Sequence, residues 1–185
     1  SCVGDDRTYS YVASRYGETL ADRAAKNILS FHYPNYKSYS FLQRGSDERQ
    51  YNAPGVDLPV CAVCRSKYEE YPEYHTSKDN MNLISPSGLQ GAYEIYSDII
   101  KALEYNYRYQ LQCLCEPQLG RRGLYPTVSR KGGFGEMKGM LDFISYADGR
   151  EDLIDISDRI HVPVKKLIPI VEKLLHNHLI EILEE

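Results

Sequence analysis

Tryptophan is missing from this sequence, methionine occurs three times, and no apolar run approaches the ~20 residues that a membrane-spanning helix needs. No basic, then apolar, then small-residue leader opens the chain. These absences predict a cytoplasmic protein with no membrane partner. The five cysteines are an odd number, which excludes a complete set of disulfides and agrees with a reducing compartment. An excess of positive charge is lacking as well. The net charge of −4 gives no electrostatic reason to expect nucleic acid.

What is present is an ordinary globular composition, 42% hydrophobic and 26% charged, with tyrosine unusually frequent at seventeen. A length of 185 residues suits one domain or two small ones. The cysteines form Cys61-x-x-Cys64, Cys113-x-Cys115 and a solitary Cys2. Cys61 and Cys64 lie in a strand-like run, where an offset of three puts side chains on opposite faces. Buried free thiols are therefore favoured over a structural zinc.

Along the chain, Cys2-Val3 starts like a strand and is broken at once by Gly4, Asp5 and Asp6. Tyr9 to Tyr16 reads as extended and ends at Gly17. Thr19 can cap a helix that carries Leu20, Ala24, Ile28 and Phe31 at helical spacing, with Asp22 near its positive end and Pro34 beyond it. Short strands are predicted at Tyr39 to Leu42 and Leu58 to Arg65, an acidic turn at Gly45-Ser46-Asp47-Glu48, and a long helix over Leu89 to Tyr107. That helix shows an apolar face of Tyr93, Tyr96, Ile99, Ile100, Leu103 and Tyr107. Tyr109 to Cys115 alternates again.

Residues 116–133 are rich in glycine and proline without a period and read as a linker. Helical patterns follow at Phe134 to Ala147, Leu153 to Ile160 and Val164 to His178, with Pro169 inside the third. Leu179 to Leu183 then reads as a strand. The short His161-Val162-Pro163 connection gives a helix-turn-helix, and with the strand a winged helix. The predicted organisation is an α/β domain over residues 1–115, the linker, and a small winged-helix domain over 134–185. From Arg121 onward, ten Lys and Arg meet eleven Asp and Glu. A DNA reader presents a basic face, so this winged helix is expected to pack on protein, with DNA disfavoured.

One stretch carries chemistry. Ser46-Asp47, Gly55-Val56-Asp57-Leu58-Pro59, Tyr71-Pro72 and Tyr74-His75-Thr76-Ser77-Lys78-Asp79 follow one another in order. Taken singly, His75 reads as a loop histidine and Asp5-Asp6 as a turn cap. The ordered series resembles the closing segment of the zinc aminopeptidase clan, which includes glutaminyl cyclases and glutamate carboxypeptidases. The resemblance implies that His75 is a zinc ligand and that Asp5, with Asp6 as its alternative, is another. It further implies that Asp47 supports the ligands or faces a peptide-like or amide substrate. Where relatives commonly carry histidine after the turn aspartate, this chain has Glu48.

In that clan zinc polarises a carbonyl and acidifies a water, and a glutamate from a Glu-Glu pair takes the proton. That pair and the first His-x-Asp metal motif lie upstream of the Asp5 position. The chain is thus expected to be the C-terminal part of such an enzyme, to bind zinc weakly and to hydrolyse nothing alone. Glu69-Glu70 reads as solvated surface, not as a substitute base. Cys115-Glu116-Pro117-Gln118-Leu119, Leu124-Tyr125-Pro126 and the winged helix together resemble a bacterial aminopeptidase-like subgroup, some of whose members sit near polysaccharide-biosynthesis genes. The alternative reading is a non-catalytic interaction module whose winged helix binds protein or, less favoured, DNA.

Overall fold

The computed structural model describes residues 2–124 and 133–183. Part of the expected linker, residues 125–132, lies outside the described residues. The chain divides into two compact units, Ser1–Leu103 and Glu104–Glu185.

The first unit is built on a three-stranded sheet, β1 (Ser10–Val12), β2 (Lys37–Tyr39) and β3 (Ala62–Cys64), in the order β2-β1-β3. β1 runs parallel to β2 and antiparallel to β3, with Tyr11 opposite Val63. Between β1 and β2 runs α1 (Leu20–His32), started by the predicted Thr19 cap. Thr19 and Asp22 form a capping box, which satisfies amides that the first turn leaves without partners. Asp22 is fully buried and also accepts from the Tyr11 hydroxyl at 2.5 Å and the Ser14 amide at 2.9 Å, so one carboxylate ties the helix start to β1.

Alternation along the strands makes two cores. Tyr11 and Val63 join Ala25, Leu29 and Ile95 on one face, where Cys61 also packs, while Val12 and Cys64 join Tyr68 on the other. The two cysteines thus sit on opposite faces of the sheet and are free thiols. The strands themselves are shorter than predicted. The Leu58 to Arg65 run narrows to β3, and after β2 the chain forms a 3-10 turn at Phe41–Gln43.

α3 (Pro86–Glu104) follows the predicted helix but buries a different face. A short helix, α2 (Glu48–Tyr51), precedes it in the chain. The buried stripe of α3 is Gly88, Gly91, Ala92, Ile95, Asp98 and Ala102, whereas Tyr93, Ile100 and Leu103 are exposed. Close approach selected small residues. A Cβ at Gly88 would lie 2.1 Å from the Gly4 carbonyl oxygen, and one at Gly91 2.3 Å from the Tyr9 hydroxyl.

The second unit has an antiparallel sheet in the order β5-β4-β6, formed by β4 (Arg108–Leu111), β5 (Asp148–Asp152) and β6 (Ile180–Leu183). Its helices are α4 (Gly133–Tyr146), α5 (Leu153–Ile160) and α6 (Val164–His176). This is the winged-helix arrangement read from the tail. Tyr109, Phe143, Leu153, Ile156, Leu167 and Val171 are among its fully buried residues. His161 adopts the left-handed conformation that ends α5, and Pro169 is carried inside α6. Because β4 pairs with β5 and β6, the division falls at Leu103, ahead of the Cys115 boundary suggested by composition. Within the expected linker, Leu119 is buried and starts a 3-10 turn. No helix among the described residues is long and apolar enough to cross a membrane.

Candidate functional site

Asp5 lies in an irregular segment ahead of β1, not at the end of a strand. Its side chain is buried, and its oxygens accept from the Ser66 amide at 2.9 Å, the Ser66 hydroxyl at 2.6 Å and the Arg7 amide at 3.2 Å. Arg65 donates to the Asp5 carbonyl at 2.8 Å while its guanidinium stacks 3.7 Å over Tyr9. These contacts fasten the opening segment to the residues that leave β3. Asp6 takes a separate route: it accepts from the Ser85 and Ser87 hydroxyls at 2.8 and 3.0 Å. Those hydrogen bonds hold its carboxyl below the usual carboxylate range.

His75 is exposed, with a left-handed φ of 56°. Its ring stacks on Tyr74 at 4.0 Å, and Tyr74 in turn neighbours Tyr71 at 5.6 Å and Tyr68 at 6.5 Å. The loop is clamped to the opening segment by Arg7, which grips Glu73 with two hydrogen bonds of 2.9 and 2.7 Å. A fork-to-fork pair of this kind fixes orientation as well as distance. The Arg7 guanidinium holds the Glu73 carboxyl down at about 2. Tyr71 adds a hydroxyl contact to the Cys2 thiol at 3.5 Å. Asp5 and His75 are therefore tied into one loop cluster through Arg7 and Glu73, without a direct hydrogen bond between them among the described residues.

Asp47 is exposed at the start of α2, and its side chain makes no capping bond. The next residue organises the turn. Glu48 is buried and accepts from the Gly45 amide at 2.8 Å, the Ser46 amide at 3.1 Å and the Tyr68 hydroxyl. Burial alone would raise its carboxyl, but the Tyr68, Gly45 and Ser46 donors outweigh that and leave it lowered. Gly45 is required sterically, since a Cβ there would meet the Tyr68 ring at 2.8 Å. Tyr68 thus links the Asp47 turn to the Tyr74–His75 stack. A cavity of about 210 Å³ opens beside this turn, lined by Asp47, Glu48, Tyr51, Tyr68 and Tyr96 together with β3.

Two members of this cluster were not evident from the sequence. Glu48 stood out only as a departure from a family pattern, although its place three residues after Gly45 is the spacing at which a carboxylate bonds back to a turn amide. Lys67 is also buried, with its ammonium 4.2 Å over Tyr68 and 5.4 Å over Tyr39. A lysine in a run of polar residues carries no signal that it will be enclosed by rings. Glu69 and Glu70 are exposed, as read from the sequence.

A carboxylate and an imidazole are suitable zinc donors, but a catalytic zinc site uses three protein ligands. Among the described residues, no group of three or more His, Cys, Asp or Glu could hold a metal ion. Burial pushes the thiols of Cys61 and Cys64 up, Cys61 to about 12. The described residues do not compose a zinc site by themselves.

Residues 107–182 match a family model described as winged helix-turn-helix, and residues 1–106 match the model described as "Domain of unknown function (DUF4910)". A Clostridium acetobutylicum protein named "Putative polysaccharide biosynthesis protein with aminopeptidase-like domain" is 36% identical over 162 residues, which cover 85% of this chain and 36% of that protein. A solved structure described as a "putative peptidase" from Clostridium acetobutylicum has a TM-score of 0.85 and 30% identity, over 99% of this chain and 40% of that one. The chain spans well under half the length of either relative. With more than half of its length matched by the first model, the chain belongs to the family described as Domain of unknown function (DUF4910), and its second unit is a winged helix.

Proposed function

We propose that this chain contributes part of the metal and substrate site of a zinc-dependent, aminopeptidase-like hydrolase acting on peptide-like or amide substrates. Asp5 and His75 are its ligands in this reading, and Asp47 faces the substrate. The observation that carries it is the Arg7–Glu73 clamp, which holds the Asp5 segment against the His75 loop. The peptidase and aminopeptidase-like names of the two relatives support the reaction class. Because those relatives are much longer, the missing ligands and the general base come from parts they have beyond this match. By itself the chain binds zinc poorly and hydrolyses nothing. The near-balanced charge of the second unit favours a winged helix that packs on protein.

The test is metal analysis and hydrolysis of an aminoacyl anilide by a protein of the relatives' full length that carries this chain. Stoichiometric zinc and activity are expected, with both reduced at least tenfold in His75→Ala. Full zinc occupancy and unchanged turnover in that variant would refute the assignment.

A further inference from the structure

Cys113 and Cys115 lie just after β4, in a bend over residues 112–116 that the second unit holds at both ends. On the near side the Leu111 amide donates to the Ala147 carbonyl and the Gln112 amide to the Leu179 carbonyl, both at 2.8 Å. On the far side Pro117 and Leu119 are buried. Between these anchors Leu114 is 96% exposed, and Cys115 takes a left-handed φ of 63°. A residue with a Cβ enters that region at a cost and is kept there only where the surrounding fold imposes it.

The bend keeps the two thiols close. Residues two apart have Cα atoms at most ~7 Å from each other in a fully extended chain, and a bent chain brings them within the ~4.4–6.8 Å in which a disulfide closes. The Cys113 thiol already lies 3.7 Å from the Cys115 carbonyl oxygen, to which it donates. Both cysteines line one cavity of about 390 Å³, with Leu111, Ile144 and Ala147 among its other walls. Cys113 is half-buried and Cys115 exposed, so a small molecule in that cavity can reach them. Cys61 and Cys64 have no such arrangement, because they pack on opposite faces of their sheet.

We propose that Cys113 and Cys115 are a redox-active dithiol that exchanges with small-molecule disulfides and closes to an internal Cys113–Cys115 bond. Oxidised glutathione serves as the oxidant. The Cys115 thiolate, the more exposed, attacks one glutathione sulfur, and a glutathione thiolate leaves. The Cys113 thiolate then attacks the Cys115 sulfur of this mixed disulfide and releases a second glutathione. The two thiol protons pass to the departing thiolates, and the two electrons lost by the cysteine pair reduce the glutathione disulfide. An exposed bond that closes so short a loop is strained, which makes it readily reversible.

The experiment equilibrates the folded chain with oxidised glutathione and increasing reduced glutathione, quenches with an alkylating agent and weighs the products. The chain lighter by two hydrogens is expected, with the bond mapped to the tryptic peptide Tyr109–Arg121. Because two glutathiones leave, a tenfold rise in glutathione at constant oxidised glutathione should lower the ratio of bridged to reduced chain about a hundredfold, against about tenfold for a mixed disulfide. Cys113→Ser, checked for folding by circular dichroism, should accumulate the glutathione adduct on Cys115 instead. A wild type that stays reduced, that stops at the adduct with the tenfold dependence, or whose bond maps to other cysteines would overturn the proposal. No readout involves zinc or hydrolysis, so the outcome is independent of the enzymatic reading.

Discussion

Replacing Glu48 should loosen the turn that presents Asp47, by an amount that follows from its three donors. The Gly45 amide, the Ser46 amide and the Tyr68 hydroxyl all converge on one carboxylate oxygen. A hydrogen bond to a charged group contributes about 1.5–3 kcal/mol, but bonds sharing an acceptor do not add independently. Glu48→Ala, which takes the acceptor from the Ser46 amide and the Tyr68 hydroxyl while the Gly45 amide keeps the Tyr68 oxygen at 3.1 Å, should cost about 3 kcal/mol. Glu48→Gln keeps a neutral acceptor and should cost about 1–2 kcal/mol. With a urea slope on the order of 2 kcal/mol per molar, the alanine variant's midpoint should fall by roughly 1.5 M.

The acid limb gives a second readout. The folded Glu48 carboxyl lies below its ordinary value of 4.5, so the ionised form favours the native state. That stability is fully present above 4.5 and is lost as the pH falls through the lower folded value. The gap between wild type and Glu48→Gln should therefore close on acidification. Unfolding followed by circular dichroism at pH 7 and across the acid range would measure both effects. An alanine variant within about 0.5 kcal/mol of wild type at pH 7 would refute the accounting, given the magnitudes used.

Gly88→Ala should be severely destabilising, because the added methyl would overlap the Gly4 and Asp5 carbonyl oxygens at 2.1 and 2.6 Å. Overpacking costs about 1–3 kcal/mol and more when backbone must move, so a thermal midpoint equal to wild type would contradict the close approach. Carboxyl NMR should find Glu73 titrating at about 2, with Arg7→Ala returning it toward 4.5. The pair supports the fold above that ordinary value and is lost as the pH falls through the lower one; a titration unaffected by the substitution would show that the clamp is not formed. In native protein, a thiol reagent should modify exposed Cys115 first, and buried Cys64 only on unfolding, since burial raises its thiol. Rapid native labelling of Cys64, measured by peptide mass, would argue against its place in the core.

The elements best read in advance were those specified by neighbours in the chain. Thr19, Asp22 and Pro34 lie within a few residues of the ends they mark, and α1 starts and stops beside them. The helices of the second unit were legible for the same reason. β5 was not, because Asp-Gly-Arg-Glu-Asp has no apolar alternation and becomes a strand only by pairing with β4. The large apolar residues of α3 point to the wrong face, because close backbone packing selects Gly88, Gly91 and Ala92 for the buried one.

The order of the amino acids, then, determined the longer helices (though not α2), the alternating faces that part Cys61 from Cys64, and the loop on which His75 sits. Tertiary packing decided that Glu48 would hold the Asp47 turn, that Lys67 would be enclosed by tyrosines, and that Arg7 would reach Glu73 to bind the Asp5 segment to the histidine loop. The difference is one of range. Caps, turns and strand alternation act over a few residues, but the partner of a buried charge is set by distant segments that meet only once the chain has folded.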